Sequence, residues 1–441
     1  MRASRSPTVL MVALAAVFFL ASAANAQVKP GDVITPSDSA KVANLVSPGN
    51  CQLVRQGMVM KIVPSSHLEW PPPYKAATEQ YSPQVVLTPG GNLMNYKAGL
   101  PFPLVDVNDP QAANKIIWNY VFRPLNTDDL DAPGIEAVSH RPGQSEPVEV
   151  MSFGHFGYYK SIGRTEVEPT PIDKDIYHNG IAYRFGAFPI LEPTELHGAG
   201  IVREGSVLPG VEDNAWEYSA DSRRLRRLPA SELSDSFGVA GISSAGMKSG
   251  AGGATSYAFT LDPDSAFGFG AKPADYNYRL VGERSMLASV TATSPAIPCA
   301  QDGGRTVCPQ NWQMRRLYVI EATAKHQTSL GGGTIVPRRV LYIDSEGWFI
   351  TASDLYGRNG QLWKTIANFH AYSDRATPNA RVAVWPYKRM FETAQVDEDL
   401  TTGVSTILYS PARGRGNEGW YINTGAVDRT FFTPMRLEQG Y

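Results

Sequence analysis

Residues 314–372 read MRRLYVIEATA (314–324), TIVPRRVLYID (334–344), a Ser345-Glu346-Gly347 turn, WFITASDLY (348–356), a Gly357-Arg358-Asn359-Gly360 turn and QLWKTIANFHAY (361–372). Runs of β-branched and aromatic residues separated by short glycine turns are the pattern of an antiparallel meander. Val319 lies between Tyr318 and Ile320, so both faces of its strand are apolar. In the last run Trp363, Thr365, Ala367 and Phe369 share one face, and Leu362, Lys364, Ile366 and Asn368 the other. A sheet with one wet face alternates more cleanly than this. One face therefore packs on other elements, and the other meets a cavity, a lid or a ligand.

Upstream, the β pattern begins at about residue 148. VEVMSFGHFGYY (148–159), Gly200 to Leu208 and Tyr276 to Gly282 read as strands, and NAWEYSADSRRLRRL (214–228) as a hairpin turning at Ala220-Asp221. Phe237 to Gly270 is a glycine- and serine-rich interruption, read as a long loop or flap. Before about residue 145 the chain reads as irregular. Short helices are expected at Ser37–Leu45, Ala76–Tyr81 and Asp109–Tyr120, the last opened by Asp109 and Pro110. Leu53 to Val63 fits strand or helix, and the three prolines after Trp70 read as a break in regular structure.

Composition narrows the class. The 441 residues carry a net charge of -2, and 10% aromatic content is too high for a disordered chain. There is no basic excess of the kind a nucleic-acid partner requires, and the pI of about 6.4 agrees. Arg2 and Arg5, the apolar run Val9–Leu20 and the small-residue site Ala24-Asn25-Ala26 read as a cleaved export signal over residues 1–26. The run is shorter than the roughly 20 residues needed to span a bilayer. Cys299 and Cys308 bracket AQDGGRTV, a pair expected to form a local disulfide in an oxidising compartment, and Cys51 is expected to be a small buried side chain.

Catalytic motifs are missing. Gly241 to Gly246 spaces its serines wrongly for a nucleophile elbow, and Met247-Lys248-Ser249 only approximates a phosphate loop. The seven histidines show no ligand spacing, so no metal and no cofactor are expected. Asp128, Asp129 and Asp131, and Asp262 and Asp264, lack the glycine and terminal glutamate of a calcium loop and read as solvated turns. The strongest charge feature is Arg223, Arg224, Arg226 and Arg227, read as an exposed strand face or a basic rim for an anionic headgroup or acidic partner.

Six stretches together resemble one family: PPPYKAATEQYS (71–82), YKAGLPFP (96–103), DPQAANKIIWNY (109–120), DNAWEYSADSRRLRRLP (213–229), PADYNYRLVGER (273–284) and VPRRVLYIDSEGWFITASDLYGRNGQLWK (336–364). Their order and spacing are similar to the domain of unknown function 1329 family of Gram-negative secreted proteins, also labelled an outer-membrane lipoprotein-sorting family. The glycine-rich 238–256 stretch departs from that family's more polar, acidic pattern, and the Cys299–Cys308 pairing rests on this sequence alone. The resemblance implies a mainly β (α+β) fold like that of periplasmic lipoprotein carriers. Its features would be a strongly curved antiparallel sheet or half-barrel, with helices on the concave side.

The expected organisation is a signal peptide (1–26), an irregular N-terminal portion (27–145) and a curved sheet portion (146–441), with 27–441 one structural unit. The expected function is that of a non-enzymatic periplasmic carrier for a lipid or other hydrophobic molecule, working with an envelope transporter or outer-membrane partner. Trp216, Tyr218, Tyr318, Ile320, Trp348, Trp363 and Phe369 are the groove candidates. An envelope docking module without a small ligand, or a hydrolase assembled only by the fold, are the alternatives.

Overall fold

The computed structural model describes residues 28–125, 127–209, 211–228, 269–270, 272–325, 336–375, 384–410 and 420–439. The expected signal peptide, the Gly241–Ser249 near-motifs, Asp262, Asp264 and His326 lie outside the described residues, as does the glycine-rich interruption apart from Phe269 and Gly270. The chain begins with β1 (Val33–Ile34), α1 (Ser39–Val42), α2 (Pro48–Gln56) and β2 (Met60–Ile62). It continues with α3 (Pro72–Tyr81), β3 (Val86–Leu87), β4 (Leu93–Met94), α4 (Ala112–Val121), β5 (Asp129–Asp131) and β6 (Glu136–His140). Next come β7 (Glu149–Lys160), α5 (Lys174–Tyr177), β8 (Tyr183–Glu192), β9 (Gly200–Gly205), β10 (Asn214–Ser219) and β11 (Arg224–Leu228). The remainder is β12 (Tyr276–Ala288), β13 (Gln310–Ala324), β14 (Arg338–Asp344), β15 (Ile350–Tyr356), β16 (Leu362–Arg375), β17 (Val384–Asp399), β18 (Ser405–Tyr409), β19 (Tyr421–Ile422) and α6 (Pro434–Gln439).

All but β3 and β4 join one 17-stranded sheet. Its main path is antiparallel throughout. It runs from β12 through β13 to β18 in chain order, crosses to β6, and continues through β7, β8, β9 and β10 to β11. β2 adds in parallel to the start of β13, and β5 shares the edge of β7 with β6. The two ends of the path, β11 and β12, do not pair with each other among the described residues, so the sheet stays open. The meander and the 214–228 hairpin form as read. The N-terminal portion, read as irregular, also gives β1, β2, β5 and β6 to the sheet; these short strands lack an alternating pattern of their own and are defined by distant partners.

Two-sided burial follows from the register. Val319, Tyr342, Ala352, Ala367, Val396, Ile407 and Val138 are successive cross-strand partners on one face, all under 9% exposed. Leu53 and Val54 of α2 pack against the far half of this row. On the opposite face Ile320, Leu341 and Ile343 meet Tyr74 of α3 and Ile116, Ile117 and Tyr120 of α4. Each fully buried aliphatic or aromatic side chain contributes about 1.5–3 kcal/mol. Helices thus cover both faces at the centre of the meander.

Three local expectations change. The proline run does not exclude a helix: Pro71 caps α3, and Pro72 and Pro73 occupy its first turn, where N–H groups have no intrahelical acceptor. Leu53–Val63 is both elements in succession, the end of α2 and then β2. Asp128, Asp129 and Asp131 are buried, not solvated. The Asp128 carboxylate accepts the N–H groups of Thr165 (2.7 Å), Glu166 (2.6 Å) and Val167 (2.6 Å), and Asp131 meets His155 Nδ1 at 2.8 Å. Burial, with Asp128 adjacent, lifts the Asp129 carboxyl to about 7.

Cys299 and Cys308 form the expected disulfide, and Cys51 is buried and free. The disulfide loop has a definite task. Asp354, Thr365, Glu398, Ser405 and His140 form a buried polar row on the α2 face. Arg305, inside the loop, pairs with Glu398 at 2.6 Å, and its carbonyl accepts Ser405 Oγ. Replacing both loop cysteines by serine is expected to lower unfolding free energy by about 2–3 kcal/mol, from the entropy of an unclosed loop of this length. Urea unfolding checks this; an unchanged midpoint would show that Arg305 alone holds the loop.

Candidate functional site

Three neighbouring strands build one wall of a cavity. Tyr158 and Lys160 of β7 point to the same side. Tyr158 pairs with Phe185 of β8, and Phe185 with Arg203 of β9. In the next row Lys160 pairs with Tyr183, and Tyr183 with Gly205. Glycine is required there, because a Cβ on Gly205 would sit 2.0 Å from Cζ of Tyr183. The opposite wall is the C-terminal end of α4, where Tyr120, Val121, Phe122 and Arg123 face the strands. Phe269, Gly270, Lys272 and Pro273 close the rim. Tyr120 ties this rim to α4 by donating its hydroxyl to the Phe269 carbonyl at 2.7 Å.

The cavity measures about 160 Å³. Its walls are mainly aromatic and aliphatic, yet Arg123, Lys160, Arg203 and Lys272 all line it, and among the described residues no carboxylate does. Arg203 and Lys272 share Asp213 just outside the lining, at 2.6 Å and 2.5 Å. Burial alone would raise the Asp213 carboxyl, but these two cations more than offset it and hold it below its ordinary value. Arg123 stacks over the Tyr120 ring with its guanidinium 4.4 Å from the centroid, and Nη1 donates to the Tyr120 carbonyl at 2.9 Å.

Lys160 differs from the other three. Its side chain is half-buried and lines the cavity. Among the described residues its ammonium has no hydrogen bond or ion pair; its neighbour is the Tyr158 ring, 5.3 Å away. Burial, reinforced by the positive field of Arg123 and opposed by Asp128, brings its pKa down to about 7. The site can therefore hold an apolar body and offer one unsatisfied cation to it.

None of the seven groove candidates lines this cavity, and the fold divides them among four clusters. Tyr318, Ile320 and Trp348 pack under α3 and α4, with Tyr318 stacked on Trp348 at 5.7 Å. Phe369 lies in the α2 cluster, edge-on to Trp312. Trp216 and Tyr218 pack beside Phe432 and Leu437 near the C-terminus. Trp363 does not share a cluster with Phe369. The register shifts between Leu355 and Tyr356, Trp363 falls at that bulge, and it packs with Ile366 while its indole donates to Asp399 at 3.0 Å.

The four arginines also lie away from the cavity lining. Arg223, Arg224, Arg226 and Arg227 are exposed on the β10–β11 hairpin, with Arg226 on Glu217 at 3.0 Å and Arg227 bonded to Asn214. No cluster of three or more His, Cys, Asp or Glu among the described residues could hold a metal ion, and no helix of these residues is long and apolar enough to cross a membrane. Of the cavity residues, Tyr120 and Tyr158 fall in the legible segments 109–120 and 148–159, and Arg203, Ser206 and Val207 in the strand read at 200–208, whereas β8, with Tyr183 and Phe185, was not legible. No signal marked Lys160 itself, because a lysine closing an aromatic strand reads as its solvated end.

An open, mainly β sheet with helices laid on it defines the class of fold. The chain belongs to the DUF1329 family: the model of that protein family of unknown function matches residues 33–438. Among solved structures it is similar to a Vibrio parahaemolyticus domain described as an outer-membrane lipoprotein-sorting protein (13% identity, 74% of this chain, 97% of that chain, TM-score 0.44). It is also similar to a DUF1329 family protein from Desulfovibrio piger (14%, 70% and 92%, 0.39). A LolA superfamily protein from Nitrosomonas europaea overlaps less (13%, 64% and 84%, 0.32). No curated protein matches the sequence.

Proposed function

We propose that this protein is a non-enzymatic periplasmic carrier that holds a lipid or other hydrophobic molecule and passes it to an envelope transport system. The observation that supports this most is the apolar-walled cavity between α4 and β7–β9. Concave, mostly apolar sites with a few convergent polar groups are the usual form of small-molecule binding sites. At about 160 Å³ the cavity suits one chain or one head group, not a whole multi-chain lipid. Similarity to a lipoprotein-sorting domain and to a LolA superfamily protein accords with a carrier in the periplasm.

Native mass spectrometry of protein purified from periplasm, followed by lipid extraction, is expected to show a co-purifying hydrophobe. The emptied protein is expected to bind a neutral naphthyl dye and fluorescent fatty acids. A protein that is reproducibly empty and binds neither probe is not a carrier. The exposed arginine hairpin favours a second reading, a docking module for an acidic envelope partner. In that case Arg223→Glu with Arg224→Glu abolishes partner capture while dye binding is unchanged; capture that survives the reversal rejects it.

A further inference from the structure

We propose that the cavity takes a single-chain anionic amphiphile, with its carboxylate or phosphate head at Lys160 and its chain among Tyr120, Tyr158, Phe185 and Phe269. This rests on the carrier reading and names the chemistry of its ligand. Among the described residues the lining has four cations and no anion, which disfavours a cationic ligand. Two of those cations already share one counter-ion, Asp213, at 2.6 Å and 2.5 Å. Lys160 has no such partner among the described residues, and Arg123 adds a second positive charge from the opposite wall.

A buried cation is costly unless it is paired or loses its proton. In the free protein Lys160 responds by giving up its proton near neutral pH, its pKa brought down to about 7 by burial first and Arg123 second, against the opposing field of Asp128. An anionic head reverses this balance: it supplies the missing counter-charge, and the amine takes up a proton on binding. A neutral alcohol supplies no counter-charge. The aromatic walls matter equally, since a bare inorganic anion would leave Tyr120, Phe185 and Phe269 uncovered. A cavity of about 160 Å³ favours a single chain.

The sign of the pH dependence follows. With Lys160 depressed to about 7 in the free protein and raised in the complex, binding takes up a proton between those two values. Affinity for the anion is level below pH 7 and falls as pH rises above it, by up to about tenfold per unit.

The test compares dodecanoate, dodecyl phosphate, dodecanol and inorganic phosphate on the delipidated full chain by isothermal titration calorimetry. Buffers of different ionisation enthalpy report the proton uptake. Dodecanoate and dodecyl phosphate are expected to bind at least tenfold more tightly than dodecanol at pH 6.5–7 (roughly the plateau set by the lysine). The preference is expected to vanish in Lys160→Met and to persist in Lys160→Arg. Should Lys160→Met fail to fold, the wild-type preference and its pH profile decide. Equal binding of dodecanol and dodecanoate, with no proton uptake, overturns the head-group assignment and leaves the carrier reading standing. Inorganic phosphate binding as tightly as dodecyl phosphate overturns it too, by removing the chain. No binding of any of the three dodecyl compounds rejects both.

Discussion

Replacing Arg315 by methionine is expected to lower unfolding free energy by about 3–5 kcal/mol, the usual effect of stranding a buried charge. Arg315 is 4% exposed and its Asp344 partner 0%. Nε and Nη2 grip the two Asp344 oxygens at 2.7 Å and 3.0 Å, Nη2 also reaches Glu346 at 2.9 Å, and Nη1 donates to the Ser66 carbonyl at 2.5 Å. Asp344 meanwhile accepts the N–H groups of Glu346 (2.9 Å) and Gly347 (2.7 Å), which shapes the turn from β14 to β15. One guanidinium therefore joins β13, that turn and the N-terminal segment at Ser66. Unfolding entropy grows with chain length, so the loss corresponds to a fall in Tm of roughly 5 °C. Arg315→Lys keeps the charge without the planar fork and is expected to lose less. A loss under about 1 kcal/mol for Arg315→Met, typical of exposed pairs, would show that the turn does not depend on this contact.

Gly49→Ala is expected to be nearly as damaging, although it adds a single methyl group. The new Cβ would sit 1.9 Å from Thr365 Oγ1 and 2.3 Å from Asp354 Oδ1. Asp354 holds the N-terminus of α2 on the sheet: it accepts the Gly49 N–H at 3.1 Å, and Thr365 Oγ1 at 3.0 Å. Desolvation raises the Asp354 carboxyl to about 6, against the lowering effect of these donors, with Thr365 first among them. Alanine forces the helix away and breaks the contact. Overpacking costs about 1–3 kcal/mol, and a hydrogen bond to a charged group about 1.5–3, so a total of about 3–5 kcal/mol is expected. Denaturant titration of Gly49→Ala, Thr365→Gly and the double variant checks the cause. If the clash is responsible, the double variant is more stable than the sum of the two losses allows; strict additivity would reject it.

What could be read in the chain depended on how local each signal is. The 314–372 meander has strong β formers between glycine turns, and β13 to β16 fall where those signals place them. The 214–228 hairpin has its turn where read, and Cys299 and Cys308 pair across the short loop they bracket. β17 lay unread because VWPYKRMFETAQVDED mixes charge and apolar residues without a clean period, yet eleven of its residues, Arg389 and Glu392 among them, are buried. Trp363 shows how a single bulge defeats face counting: one unpaired residue moves every earlier side chain to the other side. The buried Asp128, Asp129 and Asp131 were unreadable as such, because the donors to Asp128 come from residues 165–167.

By itself, the sequence determined the β class, the main meander, the hairpin, the disulfide and the family, all of which rest on residues close together or on the order of motifs. Only the tertiary structure decided where the cavity lies. Tyr158 and Lys160 form its wall because β7 pairs with β8 and β8 with β9, and because α4 packs across them. The same long-range packing leaves Lys160 without an ion pair among the described residues while giving Arg203 and Lys272 a shared counter-ion in Asp213. Strand propensity is encoded over a few residues; the charge balance of a cavity is a sum over distant segments, and it exists only once they meet.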